Sequence, residues 1–190
     1  MFLKQDDPYR LIVGMTGVTM GEALVQVGCA HGGRLAAVAR KVGLSGRAAV
    51  VVPDESSAAR ARKAAEDAGV LVEVEVASPT RLPLADGEFD LAVVDDTAGL
   101  FGLMRPEDRV AAVRELVRVL REGGRVLVVG ASPRGGLAAV LSRTRNGPPF
   151  VASGDATKAL DADGFKSVRT LAEREGLVFV EGIKPRQSHG

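Results

Sequence analysis

Short apolar runs that alternate with longer amphipathic ones constrain this chain more than any other feature. Ala23 to Val27 ends at Gly28, Ala48 to Val52 is apolar throughout, Phe89 to Val94 ends at Asp95 and Asp96, and Arg125 to Val129 ends at Gly130. Runs of this kind are the signature of strands buried on both faces, which occur in parallel sheets. Leu35 to Val42 and Ser56 to Ala68 read as helices between them, and Gly69 is suited to end the second in a left-handed turn. Val70 to Val76 alternates apolar residues with Glu73 and Glu75, the pattern of a strand with one solvated face. Pro106 to Arg121 is the clearest helix. Pro106 suits its first position, Glu107 and Asp108 its positive end, and Arg118 and Arg121 its negative end, with Gly123 as terminator. Val110, Val113, Leu116, Val117 and Leu120 form one apolar stripe on it.

Strands joined through helices imply right-handed crossovers and a sheet covered on both faces. The expected class is therefore α/β, a doubly wound and mostly parallel sheet. Ser142 to Ser153 is rich in Pro and Gly and reads as a mobile loop, followed by a short helix from Ala156 to Ala162. Ser167 to Leu171 and Leu177 to Ile183 read as a hairpin at one edge, turning at Glu175 and Gly176. With 190 residues, the chain suits one domain over 1–190, with 1–20 as an N-terminal cover segment and 187–190 as a tail. The segment from Pro8 to Met20 either covers a ligand or makes an oligomer contact.

Composition narrows the partners. A net charge of +1 offers no bulk attraction to nucleic acid, and an aromatic content of 4% without Trp offers few stacking platforms. The single cysteine, Cys29, excludes an internal disulfide and fits a reducing compartment. No apolar run reaches the length of a membrane span, and the acidic start is unlike a signal peptide. The expected location is the cytoplasm. No spacing of His, Cys, Asp and Glu suits a metal.

Ligands of open α/β sheets bind beyond the carboxyl ends of the strands. Four segments near those ends resemble one family in order. "ALVQVGCAHGGRLA" (Ala23 to Ala36) resembles the first motif of the class I S-adenosylmethionine-dependent methyltransferases, of the type 11 kind. "LPLADGEFDLAVVDD" (Leu82 to Asp96) resembles its fourth-strand region, and "ELVRVLREGGRVLVVG" (Glu115 to Gly130) its helix, double-glycine turn and fifth strand. "GFKSVRTLAEREGLVFVEGIKPR" (Gly164 to Arg186) resembles its closing antiparallel hairpin. The resemblance implies seven strands in the order 3-2-1-4-5-7-6, S-adenosylmethionine as cofactor, and a small-molecule substrate. The cofactor contacts it implies are Gln26, Gly28, Cys29, Ala30, His31, Gly32, Val52, Pro53, Asp54, Ser78 and Asp95.

The cofactor motifs are degenerate. The family usually has an acid where Gln26, Val52 and Ser78 stand, and often a glycine at Ala30. A hydrogen bond to a charged group contributes about 1.5–3 kcal/mol against about 1 for a neutral pair. Three such replacements weaken binding on the order of 100- to 10,000-fold, less if Asp54 or Glu55 reaches the ribose. A protein that has lost the cofactor and acts as a binding or scaffold module is the alternative reading. Gly28 to Gly33 also fits the weaker dinucleotide pattern G-x-[GA]-x-x-G, with Asp54 beyond it.

Catalytic candidates are Asp95, Asp96 and His31. The two carboxylates together form a pair that shares a proton and acts as a general base, or they cap a short helix from Thr97 to Met104. His31 is either catalytic or a solvent-facing turn residue, and Cys29 reads as a packing residue. Arg134, Arg143 and Arg145 either meet an anionic substrate or form a solvated face. So little sequence lies outside the core that the substrate pocket is open or completed by a partner chain.

Overall fold

The computed structural model describes residues 7–132 and 149–186. In chain order the elements are α1 (Arg10–Thr16), β1 (Ala23–Val27), α2 (Gly32–Val42), β2 (Arg47–Val52), α3 (Glu55–Ala68), β3 (Glu73–Val76), β4 (Phe89–Asp96), α4 (Pro106–Val119), β5 (Leu120–Ala131), α5 (Asp155–Ala162), β6 (Lys166–Arg174) and β7 (Leu177–Ile183). They form one sheet in the order β3-β2-β1-β4-β5-β7-β6. The first five strands run parallel, and β7 is antiparallel to both β5 and β6. An antiparallel strand inserted between β5 and β6 is incompatible with the all-parallel dinucleotide-binding order 3-2-1-4-5-6.

The period of two along each strand sends alternate side chains to opposite layers. Val25, Val27, Ala49, Val51, Ala92 and Val94 pack against α4 and α5 with Leu116, Val119 and Leu160. Leu24, Ala48, Leu91, Val93, Leu127 and Val129 pack on the other side with Ile12 of α1 and Val38 and Val42 of α2. Val50 and Val52 meet Leu35, Ala58 and Ala61, which fixes α2 and α3 over β2. Both faces of β1, β2 and β4 are thus dry.

Four elements differ from the sequence reading. The cover segment contains a helix, α1, which packs against α2 and the sheet. Strand β3 starts at Glu73 rather than Val70, because Val70 N–H closes the end of α3 by donating to Ala65 O. Helix α4 ends at Val119, not Arg121. Leu120 turns extended, is fully buried, and pairs with Phe89, so Gly123 (φ +74°) lies in an irregular part of β5 and Arg121 pairs with Asp90 at 2.6 Å. Thr97 to Met104 is a series of turns rather than a helix. The Pro/Gly-rich loop lies largely outside the described residues, as do Arg134, Arg143, Arg145 and the tail.

One ion pair ties α4 to the segment between β3 and β4. Arg118 donates to Leu82 O and Leu84 O at 3.0 and 2.7 Å, and its partner Glu115 accepts from Leu82 N–H at 2.7 Å. Arg118 and Glu115 meet at 2.8 Å, and the arginine holds the Glu115 carboxyl below its ordinary range. An Arg118→Met variant removes these bonds and leaves Glu115 without its cation. It is expected to lose about 1–3 kcal/mol in urea unfolding; a loss below about 0.5 kcal/mol contradicts the clamp.

Candidate functional site

The carboxyl ends of β1, β2, β3 and β4 lie side by side where the strand order reverses. Val27 pairs with Val51 and Val94, and Val52 pairs with Val76. The turn after β1 is built from its backbone outward. Gly28 is left-handed (φ +84°), and its N–H donates to Val51 O at 2.9 Å. Gln26 is buried and its Nε2 donates to Gly28 O at 2.8 Å. Arg60 of α3 donates to Cys29 O at 2.7 Å, and Ala30 N–H donates to Asp95 Oδ2 at 2.9 Å. The turn is pinned from β1, α3 and β4 at once.

Its glycines have intramolecular reasons. A Cβ on Gly28 would lie 2.9 Å from both Asp95 O and Leu100 Cδ2. One on Gly32 would overlap Ala64 of α3, and one on Gly33 would overlap the Tyr9 phenol. The sequence reading left ligand approach and internal sterics open. Internal packing accounts for Gly28 and Gly32; at Gly33 the neighbour is the far end of the Tyr9 side chain.

Cys29 is buried, and burial, aided by Asp95, pushes its thiol up to about 11 against the opposing pull of Arg60. It is an uncharged packing group at neutral pH. His31 precedes α2, is exposed, makes no capping bond, and tilts against the Tyr9 ring at 5.7 Å between centroids.

At the end of β2, Val52 is fully buried in the α2–α3 layer. Pro53 is exposed. Asp54 is the N-cap of α3, its carboxylate accepting from Ser57 N–H at 2.8 Å and Ser57 Oγ at 3.2 Å. Its side chain is thereby engaged with its own helix. Beyond β3, Ser78 is exposed and its hydroxyl pairs with Thr80 Oγ1 at 2.7 Å.

The carboxylates that end β4 part company. Alternation sends Asp95 toward the glycine turn and Asp96 toward Phe101, and each accepts from its own donors rather than bonding to the other, which differs from the expected pair. Asp95 Oδ1 accepts from Thr97 Oγ1 at 2.6 Å and Thr97 N–H at 3.3 Å, and Arg34 of α2 lies 3.8 Å away. Arg34 also donates to Thr97 Oγ1 at 2.9 Å. Asp96 Oδ1 accepts from Phe101 N–H at 2.6 Å. Burial pushes the Asp96 carboxyl up to about 6, against the pull of the Phe101 and Gly102 amides and of Arg109; Asp95 adds a smaller upward push. Arg109 lies 4.7 Å above the Phe150 ring and donates to Phe101 O at 3.1 Å. Both aspartates do cap local backbone, but of turns and not of a helix.

Sequence reasoning missed Tyr9, Arg34, Arg60 and Thr97. Tyr9 is the only tyrosine in the chain, yet its contact with Gly33 is visible only once α1 is placed. The arginines look like ordinary helix-surface charges in one dimension. Among the described residues no cluster of three or more His, Cys, Asp or Glu side chains is arranged for a metal, and no helix is long and apolar enough to cross a membrane.

The strand order, the closing antiparallel hairpin and the glycine turn beneath α2 define the class I methyltransferase fold. The chain belongs to this family: residues 25–128 match the family model described as a methyltransferase domain. It is 30% identical to methyltransferase GfsG of Streptomyces halstedii over 164 residues, 86% of this chain and 55% of the relative. It is also 30% identical over 122 residues to the ubiquinone/menaquinone biosynthesis C-methyltransferase UbiE of Klebsiella pneumoniae, covering 63% of this chain and 47% of that one. The chain thus spans about half the length of the curated relatives it matches. A SAM-dependent methyltransferase from Aquifex aeolicus shares the fold, with a TM-score of 0.72 over 95% of both chains at 21% identity.

Proposed function

We propose that this chain transfers a methyl group from S-adenosylmethionine to a small molecule in the cytoplasm. The observation that carries the reading is the pinned turn from Gly28 to Gly32, set between the ends of β1 and β4 with Gln26 and Asp95 buried beside it. The donor set fits the amino-acid end of the cofactor, where a carboxylate and backbone groups meet. The adenine end is served by the Ser78 and Thr80 hydroxyls. The ribose end has only Pro53 and Asp54, and Asp54 reaches it by releasing its bond to Ser57. The Asp95 carboxylate thus suits the ammonium of the amino-acid end, and the ribose end needs Asp54 to turn away from its own helix.

When bound, S-adenosylmethionine supplies an electrophilic methyl group on a sulfonium. The chain's contribution is to place that end against the β1 turn and the acceptor against the end of β4, where proximity accounts for most of the rate. Asp96, with its carboxyl held near 6, takes the proton released by the acceptor. The relative named for ubiquinone/menaquinone biosynthesis supports that acceptor class.

Thermal unfolding with S-adenosylmethionine and with S-adenosylhomocysteine tests the reading. A ligand at 100 times its dissociation constant adds about 2.7 kcal/mol of stability. The midpoint is expected to rise with either ligand, approaching saturation only at high-micromolar to millimolar concentration because Asp54 must first give up its bonds to Ser57. A midpoint unmoved at millimolar ligand contradicts it and favours the binding-module alternative, for which the apolar Val52 and the self-capped Asp54 already speak.

A further inference from the structure

We propose that Asp95 supplies the anionic contact for the amino-acid end of S-adenosylmethionine, a charge that has moved from β1 to β4 in this chain. This rests on the function proposed above. Gln26 has no charge to offer, and its Nε2 is committed to Gly28 O. Asp54 caps α3 and Asp96 faces Phe101. Asp95 is the carboxylate that touches the glycine turn, through Ala30 N–H.

Its geometry suits a cation-binding role. Asp95 is only 5% exposed, and every hydrogen bond it accepts among the described residues comes from a neutral donor, Ala30 or Thr97. Arg34 forms a loose ion pair with Asp95 at 3.8 Å, beyond direct hydrogen bonding, and donates instead to Thr97 Oγ1. A carboxylate oxygen has two lone pairs. Oδ2 gives one to Ala30 N–H and has a second for another donor. A buried carboxylate whose one neighbouring cation stands outside hydrogen-bonding distance is stabilised further by a ligand that brings a closer one. The matching chemistry is a primary ammonium beside a sulfonium, as at the amino-acid end of S-adenosylmethionine. Thr97 and Ala30 then act as positioning groups that hold the carboxylate against the turn.

The test is calorimetric titration of the whole chain with S-adenosylhomocysteine and with 5′-methylthioadenosine, which lacks the amino-acid end. Asp95→Asn is expected to weaken S-adenosylhomocysteine by about tenfold or more while 5′-methylthioadenosine stays within about twofold. Adding Gln26→Glu to that variant is expected to recover most of the loss, because it restores a carboxylate beside the turn. An equal fall for both ligands means a structural role and overturns the proposal, as does no fall for either. Should Asp95→Asn fail to fold, Arg34→Met keeps the carboxylate and removes its competing cation. It is expected to tighten S-adenosylhomocysteine severalfold and leave 5′-methylthioadenosine alone; unchanged or weaker binding overturns the assignment. A wild-type chain that binds 5′-methylthioadenosine but not S-adenosylhomocysteine overturns this proposal alone. One that binds neither also removes the proposed function.

Discussion

A Gly28→Ala variant is expected to lose about 2–5 kcal/mol of stability, while Gly14→Ala is neutral or slightly stabilising. Gly28 combines two constraints. Its φ of +84° lies in the left-handed region, which costs an L-residue about 1–2 kcal/mol. Its Cβ would also stand 2.9 Å from a backbone oxygen, Asp95 O, which cannot swing aside as a side chain can. Overpacking of this kind adds about 1–3 kcal/mol. The movement that relieves it separates the ends of β1 and β4, where the cofactor is proposed to bind, so binding is expected to fall with stability. Gly14 is the control: it is helical, exposed, and an added Cβ would meet nothing within 4 Å. Alanine there gains about 0.5–1 kcal/mol in helix preference. Urea unfolding of the two variants measures the contrast, and a Gly28→Ala midpoint equal to wild type contradicts the account of the turn.

Asp96→Asn is expected to raise stability and lower turnover together. The unfolded Asp96 carboxyl titrates near 3.8 and the folded one near 6. Between those values the folded state keeps a proton that the unfolded state has released, so wild-type stability falls as pH rises through this window. The fall approaches about 2–3 kcal/mol, two pKa units at about 1.4 kcal/mol each. Below pH ~4 the carboxyl is protonated in both states and the penalty is absent. Asparagine keeps an acceptor for Phe101 N–H and never carries the charge. The variant should match wild type in acid and exceed it by about 2 kcal/mol above pH ~7. Loss of a positioned base costs typically 10²–10⁴-fold in rate, and the wild-type rate should climb with pH through about 6. Urea titrations from pH 4 to 8 and turnover measurements check both halves. A variant less stable than wild type at pH 8, or one with full turnover, removes Asp96 from the proposed role.

The layers of this fold were legible because the hydrophobic pattern repeats with the right period. Ala48 to Val52 is apolar at every position, and only a strand covered on both faces requires that. The hairpin of β6 and β7 was visible for the same reason, with Glu175 and Gly176 both left-handed at its turn. Boundaries were less legible where tertiary burial overrides local preference. Leu120 continues the apolar stripe of α4, yet the space beside Phe89 draws it into β5. The site was legible only as a location. The glycines marked the turn, but one dimension does not reveal that Ala64, Tyr9 and Asp95 O occupy the space their missing side chains leave. Adjacent aspartates read as a pair, although the period of two in β4 sends them to opposite layers. Arg34 and Arg60 gave no signal, since their partners are backbone or side-chain atoms about 30 or more residues away.

The most direct test of the central claim is a crystal structure of the chain with S-adenosylhomocysteine added. The ligand should lie across the ends of β1, β2 and β4, its amino-acid end against Ala30 and Asp95 and its adenosine passing Pro53 toward Ser78. Density for the ligand elsewhere, or none across these strand ends at saturating ligand, would show that the family's fold persists here without its chemistry.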